Sequence, residues 1–177
     1  MLRSRGRRWR TGRARTSALS EADYVPIPHT AALTNGERSS IRQFFDIYRA
    51  AFEAFDAAAI ADLFAYPCQI TGGGPQVVVT TIPDRGVWIP QIEQLLTAYR
   101  AIGVRSAQPE ELQVVELTPG LAQATVHWGV RDQEERTIYD FDATYTLADF
   151  GQGMRITAIA HNETPRLRAA IGRQRGQ

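Results

Sequence analysis

Residues Ser40–Cys68 read SIRQFFDIYRAAFEAFDAAAIADLFAYPC. Apolar side chains fall at Ile41, Phe44, Phe45, Tyr48, Phe52, Phe55, Ala59 and Leu63, steps of three and four that draw one stripe along a helix. Five of these eight are aromatic, so the stripe is wide and needs a large concave partner, which only downstream strands can supply. Ser40 with Gln43 makes a capping box for this helix, and Thr34 with Glu37 offers an earlier start. Asp56 is placed to cap a second short helix, Ala57 to Ala65, because its carboxylate can accept the free N–H groups of a new first turn. Pro67 ends that helix.

Outward from this stretch the pattern changes period. Cys68 to Thr71 reads as a short strand, Gly72-Gly73-Gly74-Pro75 as a turn and Gln76 to Ile82 as the returning strand. Pro90 suits the first turn of a further helix that carries Ile92, Leu95, Leu96 and Tyr99 on one face and stops at Gly103. Strands follow over Glu111 to Leu117, Leu121 to Arg131, Arg136 to Leu147 and Met154 to His161, joined by short turns that imply antiparallel pairing. Pro165 to Gly172 reads as a short terminal helix. Helices first and a meander after give the α+β class.

Alternation sorts the strand side chains. Ala124, Val126, Trp128 and Val130 share one face and Gln123, Thr125, His127 and Arg131 the other. On the next strand Tyr139, Phe141, Ala143, Tyr145 and Leu147 oppose Ile138, Asp140, Asp142, Thr144 and Thr146. The apolar sets should cup the aromatic stripe. The polar sets should look outward, to solvent or to a second subunit.

Composition bounds the function classes. The chain of 177 residues is 44% hydrophobic and 22% charged, ordinary for one folded domain with an appendage. Its net charge of +1 hides an asymmetry: the first twenty residues hold seven arginines and no acid, leaving 13 basic against 19 acidic side chains elsewhere. So dense a run of like charge, with Trp9 as its one large apolar group, cannot bury enough surface to fold. The chain therefore divides into an arginine-rich disordered head and linker (1–35), a folded domain (36–164) and a short helix with tail (165–177). The head is the only feature that points toward nucleic acid. No apolar run follows Arg7-Arg8, so no export signal is expected, and no run is long enough to span a membrane. A cytoplasmic protein is the expectation. The single cysteine, Cys68, reads as a small buried hydrophobe, and no cluster has metal-ligand spacing. No cofactor is implied.

The kinked helix pair with Asp56, Ile60 and Leu63-Phe64-Ala65, together with the ending YTLADFGQGMRITAIAHNE, resembles the nuclear transport factor 2-like superfamily over about Ser39 to Glu163. The resemblance implies a cone: a curved antiparallel sheet wrapped around a long helix to leave a cavity. It implies no single activity, because the fold hosts isomerases, cyclases, hydrolases, dehydratases and binding subunits. Aligned with the ketosteroid isomerases, Tyr48 takes the place of their oxyanion-hole tyrosine. Gly72 stands where they carry the catalytic base and Ala143 where they carry the neutral oxyanion-hole acid. Without them that isomerisation lacks both the carboxylate that moves the proton and one of the two donors to the enolate, and it is not expected of this chain. Aligned with the SnoaL-like cyclases, His161 takes the place of an acid/base aspartate, and a histidine can move protons near neutrality.

Two functions stay open at this point. One is a non-catalytic cone that binds a small hydrophobic molecule or serves as a dimerising subunit. The other is an acid/base enzyme on a hydrophobic substrate, with His161 and Tyr48 as the catalytic pair. In either case Tyr66, Trp88, Trp128 and Tyr145 are candidates to wall an aromatic pocket, although plain core packing would use them as well. His127, Asp140 and Asp142 fall on the outer face by alternation, where a cross-strand pair or a homodimer contact is expected. The glycine triplet is no phosphate loop, since it lacks the lysine and sits between strands.

Overall fold

The computed structural model describes residues 35–176. The arginine-rich head, and the Thr34 half of the earlier capping box, lie outside the described residues. Helix α1 spans Asn35–Glu53, α2 Ala57–Ala61, α3 Arg85–Ala101 and α4 Glu163–Arg175. Strands are β1 (Phe64–Gly72), β2 (Val78–Ile82), β3 (Ser106–Thr118), β4 (Leu121–Arg131), β5 (Thr137–Asp149) and β6 (Met154–His161). They form one curved sheet in the order β2-β1-β6-β5-β4-β3.

The join between α1 and α2 is a Schellman turn. The N–H of Asp56 donates to Ala51 O at 3.0 Å and that of Phe55 to Phe52 O at 2.9 Å, satisfying carbonyls that the helix end would leave open. Phe55 occupies the left-handed position of that turn, at φ 54°, where glycine is usual. The end of α3 repeats the motif with Gly103 at φ 77°. Asp56 then caps α2, its Oδ1 accepting from Ala59 N at 2.9 Å, as expected from sequence.

Several boundaries differ from the sequence reading, each for a local reason. The Ser40 capping box does not form: α1 already runs from Asn35, and the Ser40 hydroxyl donates back to Gly36 O at 2.9 Å, inside the helix. Helix α2 is one turn shorter than expected, because Phe64 already pairs with Ile156 and starts β1. Pro67 therefore lies within β1 rather than ending a helix. Helix α3 begins at Arg85, with Asp84 Oδ1 accepting from Val87 N at 2.9 Å, and this cap leaves Pro90 beyond the first turn. The terminal helix is longer at both ends than the span 165–172. One strand pair, β1 with β6, is parallel; the other four are antiparallel.

The inner face of the sheet follows the alternation read from sequence. Ala122, Ala124, Val126, Trp128 and Val130 are each no more than 2% exposed, and their partners on β5 are Leu147, Tyr145, Ala143, Phe141 and Tyr139. The helix-one stripe packs into this concavity. Phe45 lies 5.1 Å from the Tyr145 ring and 6.2 Å from Trp128, and Tyr48 lies 5.8 and 6.2 Å from the same pair. Three of these pairs, all but Tyr48–Trp128, are edge-to-face, and such contacts add about 0.5–1.5 kcal/mol each beyond burial. Among the described residues no helix is long and apolar enough to cross a membrane.

Candidate functional site in the cone

The register of the sheet shows why a cavity forms. One row across the inner face runs Val126–Ala143–His161–Gly72. The row beside it runs Ala124–Tyr145–Ile159–Ile70. In the first row small residues flank His161 on both sides, so helices resting on larger neighbours cannot reach the sheet there. A cavity of about 240 Å³ results, which exceeds the roughly 150 Å³ that holds benzene in an engineered protein core. Its wall is largely aromatic and aliphatic, including Phe52, Phe64, Ile92 and Phe141.

Five of the six candidate residues meet on this wall: Tyr48, Trp88, Trp128, Tyr145 and His161. Tyr66 does not. Between Phe64 and Gln69 strand β1 falls out of register with β6, and this irregular segment sends the Tyr66 hydroxyl to Ala61 O at 2.8 Å. Burial there pushes its phenol up to about 12. Tyr66 ties β1 to α2 and takes no part in the pocket.

The polar groups of the cavity form two sets. In the first, buried Trp128 donates from Nε1 to the Tyr145 hydroxyl at 3.0 Å, and the Tyr48 ring stands edge-to-face with Tyr145 at 5.8 Å. An indole N–H can only donate, so the Tyr145 hydroxyl accepts from it and keeps its own proton for another acceptor. Burial, and then the charge of Glu163, raise the Tyr48 phenol well above its ordinary 10.0, which keeps it a donor. Nε1 of Trp88 is buried without a partner among the described residues.

The second set centres on Glu163, which was not among the candidate residues. It is 7% exposed and lies in the cavity wall at the start of α4. Its Oε1 accepts from Tyr139 Oη at 2.7 Å and also from Tyr99 Oη. Burial raises its carboxyl above 4.5, against the lowering effect of the two phenols. The Glu163 backbone N–H donates to His161 Nδ1 at 3.3 Å. A backbone N–H cannot accept, so the neutral ring carries its proton on Nε2. Burial lowers the His161 value from 6.5, and the ring is neutral at neutral pH. As it stands, His161 offers the cavity a donor and not a free base. No sequence signal marked Glu163, because its burial comes from α4 folding back over β5.

Elsewhere the candidates fall as alternation requires. His127 Nδ1 sits 2.8 Å from Asp142 Oδ1 on the outer face, and Asp140 pairs there with Arg166 at 2.7 Å. Cys68 is buried, and burial raises its thiol. Among the described residues no group of three or more His, Cys, Asp or Glu side chains could hold a metal.

Comparison with known proteins agrees with this architecture. A family model described as "NTF2-like protein (DUF6841)" matches residues 37–164. No curated protein matches the chain. Among solved structures, an NTF2-like protein with a cystatin-like fold from Novosphingobium aromaticivorans is similar with a TM-score of 0.57 at 18% identity, over 76% of this chain and 88% of that one. An NTF2-like protein of unknown function from Pseudomonas putida KT2440 gives 0.59 at 14% identity, over 73% and 88%. A domain of unknown function with a cystatin-like fold from Nostoc punctiforme gives 0.55 at 17% identity, over 73% and 78%. At these identities the likeness concerns the fold alone.

Proposed function

The chain belongs to the NTF2-like family DUF6841, and from that premise we propose that it is a binding domain whose cone holds a small, flat, mainly apolar molecule. The observation that carries this reading is the cavity of about 240 Å³, apolar in its walls, with donors in the Tyr48 hydroxyl and the neutral His161 ring. Such a site combines broad apolar contact with a few orienting hydrogen bonds. The reading includes a cytoplasmic setting, in which the buried Cys68 thiol stays reduced. It also includes a homodimer through the outer sheet face, where Val115 stands exposed beside the His127–Asp142 and Thr125–Thr144 pairs. Sedimentation as a monomer at micromolar concentration would remove the dimer from the reading.

A thermal-shift screen against one- and two-ring aromatic and alicyclic metabolites tests the binding role. A ligand at 100 times its dissociation constant adds about 2.7 kcal/mol of stability, or about 5–10 °C for a domain of this size. Absence of any shift, or equal shifts in an Ala143→Leu variant with a filled cavity, would count against it.

One observation favours a second reading, an acid/base enzyme using His161 and Tyr48. In the strand register His161 lies directly between Gly72 and Ala143, the two positions at which the related isomerases carry carboxylates. His161→Gln separates the readings, because glutamine keeps an N–H donor but cannot carry a proton through a catalytic cycle. Binding retained in that variant supports the binding domain. Loss of a turnover that the parent shows supports the enzyme.

A further inference from the structure

The apolar cavity does not end at His161. A wider hollow of about 640 Å³ opens beside it, walled by the Gly72–Gln76 turn, Val78 and Thr80. The two spaces share Ile70, His161, Thr164 and Arg168, so these four residues form a neck between a greasy interior and a more polar vestibule.

The neck is built around a missing side chain. A Cβ on Gly72 would stand 3.6 Å from Thr164 Oγ1 and 3.9 Å from His161 Nε2. With glycine there, a hydroxyl and an imidazole N–H face one open point. Arg168 stands on the same wall and has no acidic partner among the described residues. Arg49, the other cation of the inner wall, is already held by Glu53 at 2.9 Å, and neighbouring Arg166 by Asp140 at 2.7 Å. Charge is distributed in the opposite sense further in, where the buried carboxyl of Glu163 lies in the wall of the inner cavity. An anionic group pushed to that depth would meet Glu163. At the neck it would meet two donors and a guanidinium.

We propose that the natural ligand is a small monocarboxylic acid with a flat apolar body of one or two rings. The body enters the inner cavity first, and the carboxylate stays at the neck over Gly72, held by His161 Nε2, Thr164 Oγ1 and Arg168. This deepens the binding reading above and rests on it.

Calorimetric titration of the full chain at pH 7.5 with 2-naphthoate and with 2-naphthamide tests the idea, since a carboxyl of ordinary pKa about 4 is ionised there. The wild type should bind the acid about tenfold more tightly than the amide, the scale of one partly exposed charge-assisted contact. Arg168→Gln lies on an exposed helix position and exchanges two residues of similar helix propensity. It should bring the two affinities within about threefold of one another, chiefly by weakening the acid. Ala143→Leu should weaken both compounds alike. Equal affinities in the wild type, or a preference for the acid that survives Arg168→Gln, would overturn this inference and leave the binding reading standing. Failure of both compounds to bind the wild type, or binding of both that is indifferent to Ala143→Leu, would overturn the two together.

Discussion

The Tyr139 hydroxyl stands 2.7 Å from Glu163 Oε1, and the Tyr99 hydroxyl donates to the same oxygen. Three elements therefore meet at one buried carboxyl: α3 through Tyr99, β5 through Tyr139 and α4 through Glu163. Because burial raises that carboxyl above 4.5, its contribution to stability is full below the ordinary glutamate range. The contribution is lost as pH rises through the folded value. Glu163→Gln keeps an acceptor oxygen for the phenols and removes the titration. Melting temperatures between pH 4 and 8 should fall more steeply with pH in the parent than in Glu163→Gln. Glu163→Leu, which orphans two buried hydroxyls, should cost about 2–5 kcal/mol. Parallel pH profiles for the parent and the glutamine variant would refute the assignment.

The two histidines of the sheet should titrate in opposite directions. Asp142 beside His127 raises its value above 6.5, and burial lowers that of His161. Stability contributed by His127 is complete below 6.5 and is lost as pH rises through its folded value. That contributed by His161 is present above 6.5 and is lost as pH falls through its folded value. Nitrogen-15 NMR should find the His161 midpoint below that of His127, with the neutral His161 ring protonated at Nε2. A neutral ring protonated at Nδ1 would contradict the hydrogen bond from the Glu163 amide.

Where period decides side-chain direction, the sequence was legible. Strands β4 and β6 have the bounds that their turns implied, and the inner-face residues of β4 from Ala124 to Val130 and of β5 from Tyr139 to Leu147 were placed by alternation alone. Asp56 and Gly103 were legible because each satisfies groups at a helix end by purely local chemistry. The Ser40 box was misread, since the same hydroxyl that caps a helix can bond back within one that starts earlier. Tyr66 was misread because it falls in the irregular start of β1, between the expected end of α2 and the expected start of that strand, where no period fixes a side chain's direction. Glu163, Thr164 and Arg168 were invisible as site residues. Their position on the cavity wall depends on how α4 returns across β5, and no local pattern encodes that return.

Trp128 and Tyr145 provide a test of the aromatic wall. Both are buried, and Trp128 Nε1 has the Tyr145 hydroxyl as its acceptor at 3.0 Å. Tyr145→Phe preserves the ring contact with Phe45 but leaves the indole N–H unpaired, at a cost of about 1–3 kcal/mol. Chemical denaturation of the variant should show a lower midpoint with an unchanged slope. A midpoint equal to the parent's would mean that Trp128 does not depend on this hydroxyl.

The row argument for the cavity predicts that one substitution will have opposite effects at two alanines of the same inner face. Ala143 is 2% exposed and flanks His161 over the hollow, whereas Ala124 is fully buried opposite Tyr145 in the filled row. Leucine at 124 must displace packed neighbours and should destabilise by about 1–3 kcal/mol. Leucine at 143 extends into empty space and recovers apolar contact, so the unliganded protein should be unchanged or more stable by up to about 1 kcal/mol. Any ligand of the cone should bind that variant at least about tenfold more weakly, because the added carbons occupy its volume. Thermal unfolding of the two variants, with and without ligand, measures both effects. Equal destabilisation at the two sites would mean that the row carrying His161 is packed and that no cavity exists for a ligand to fill.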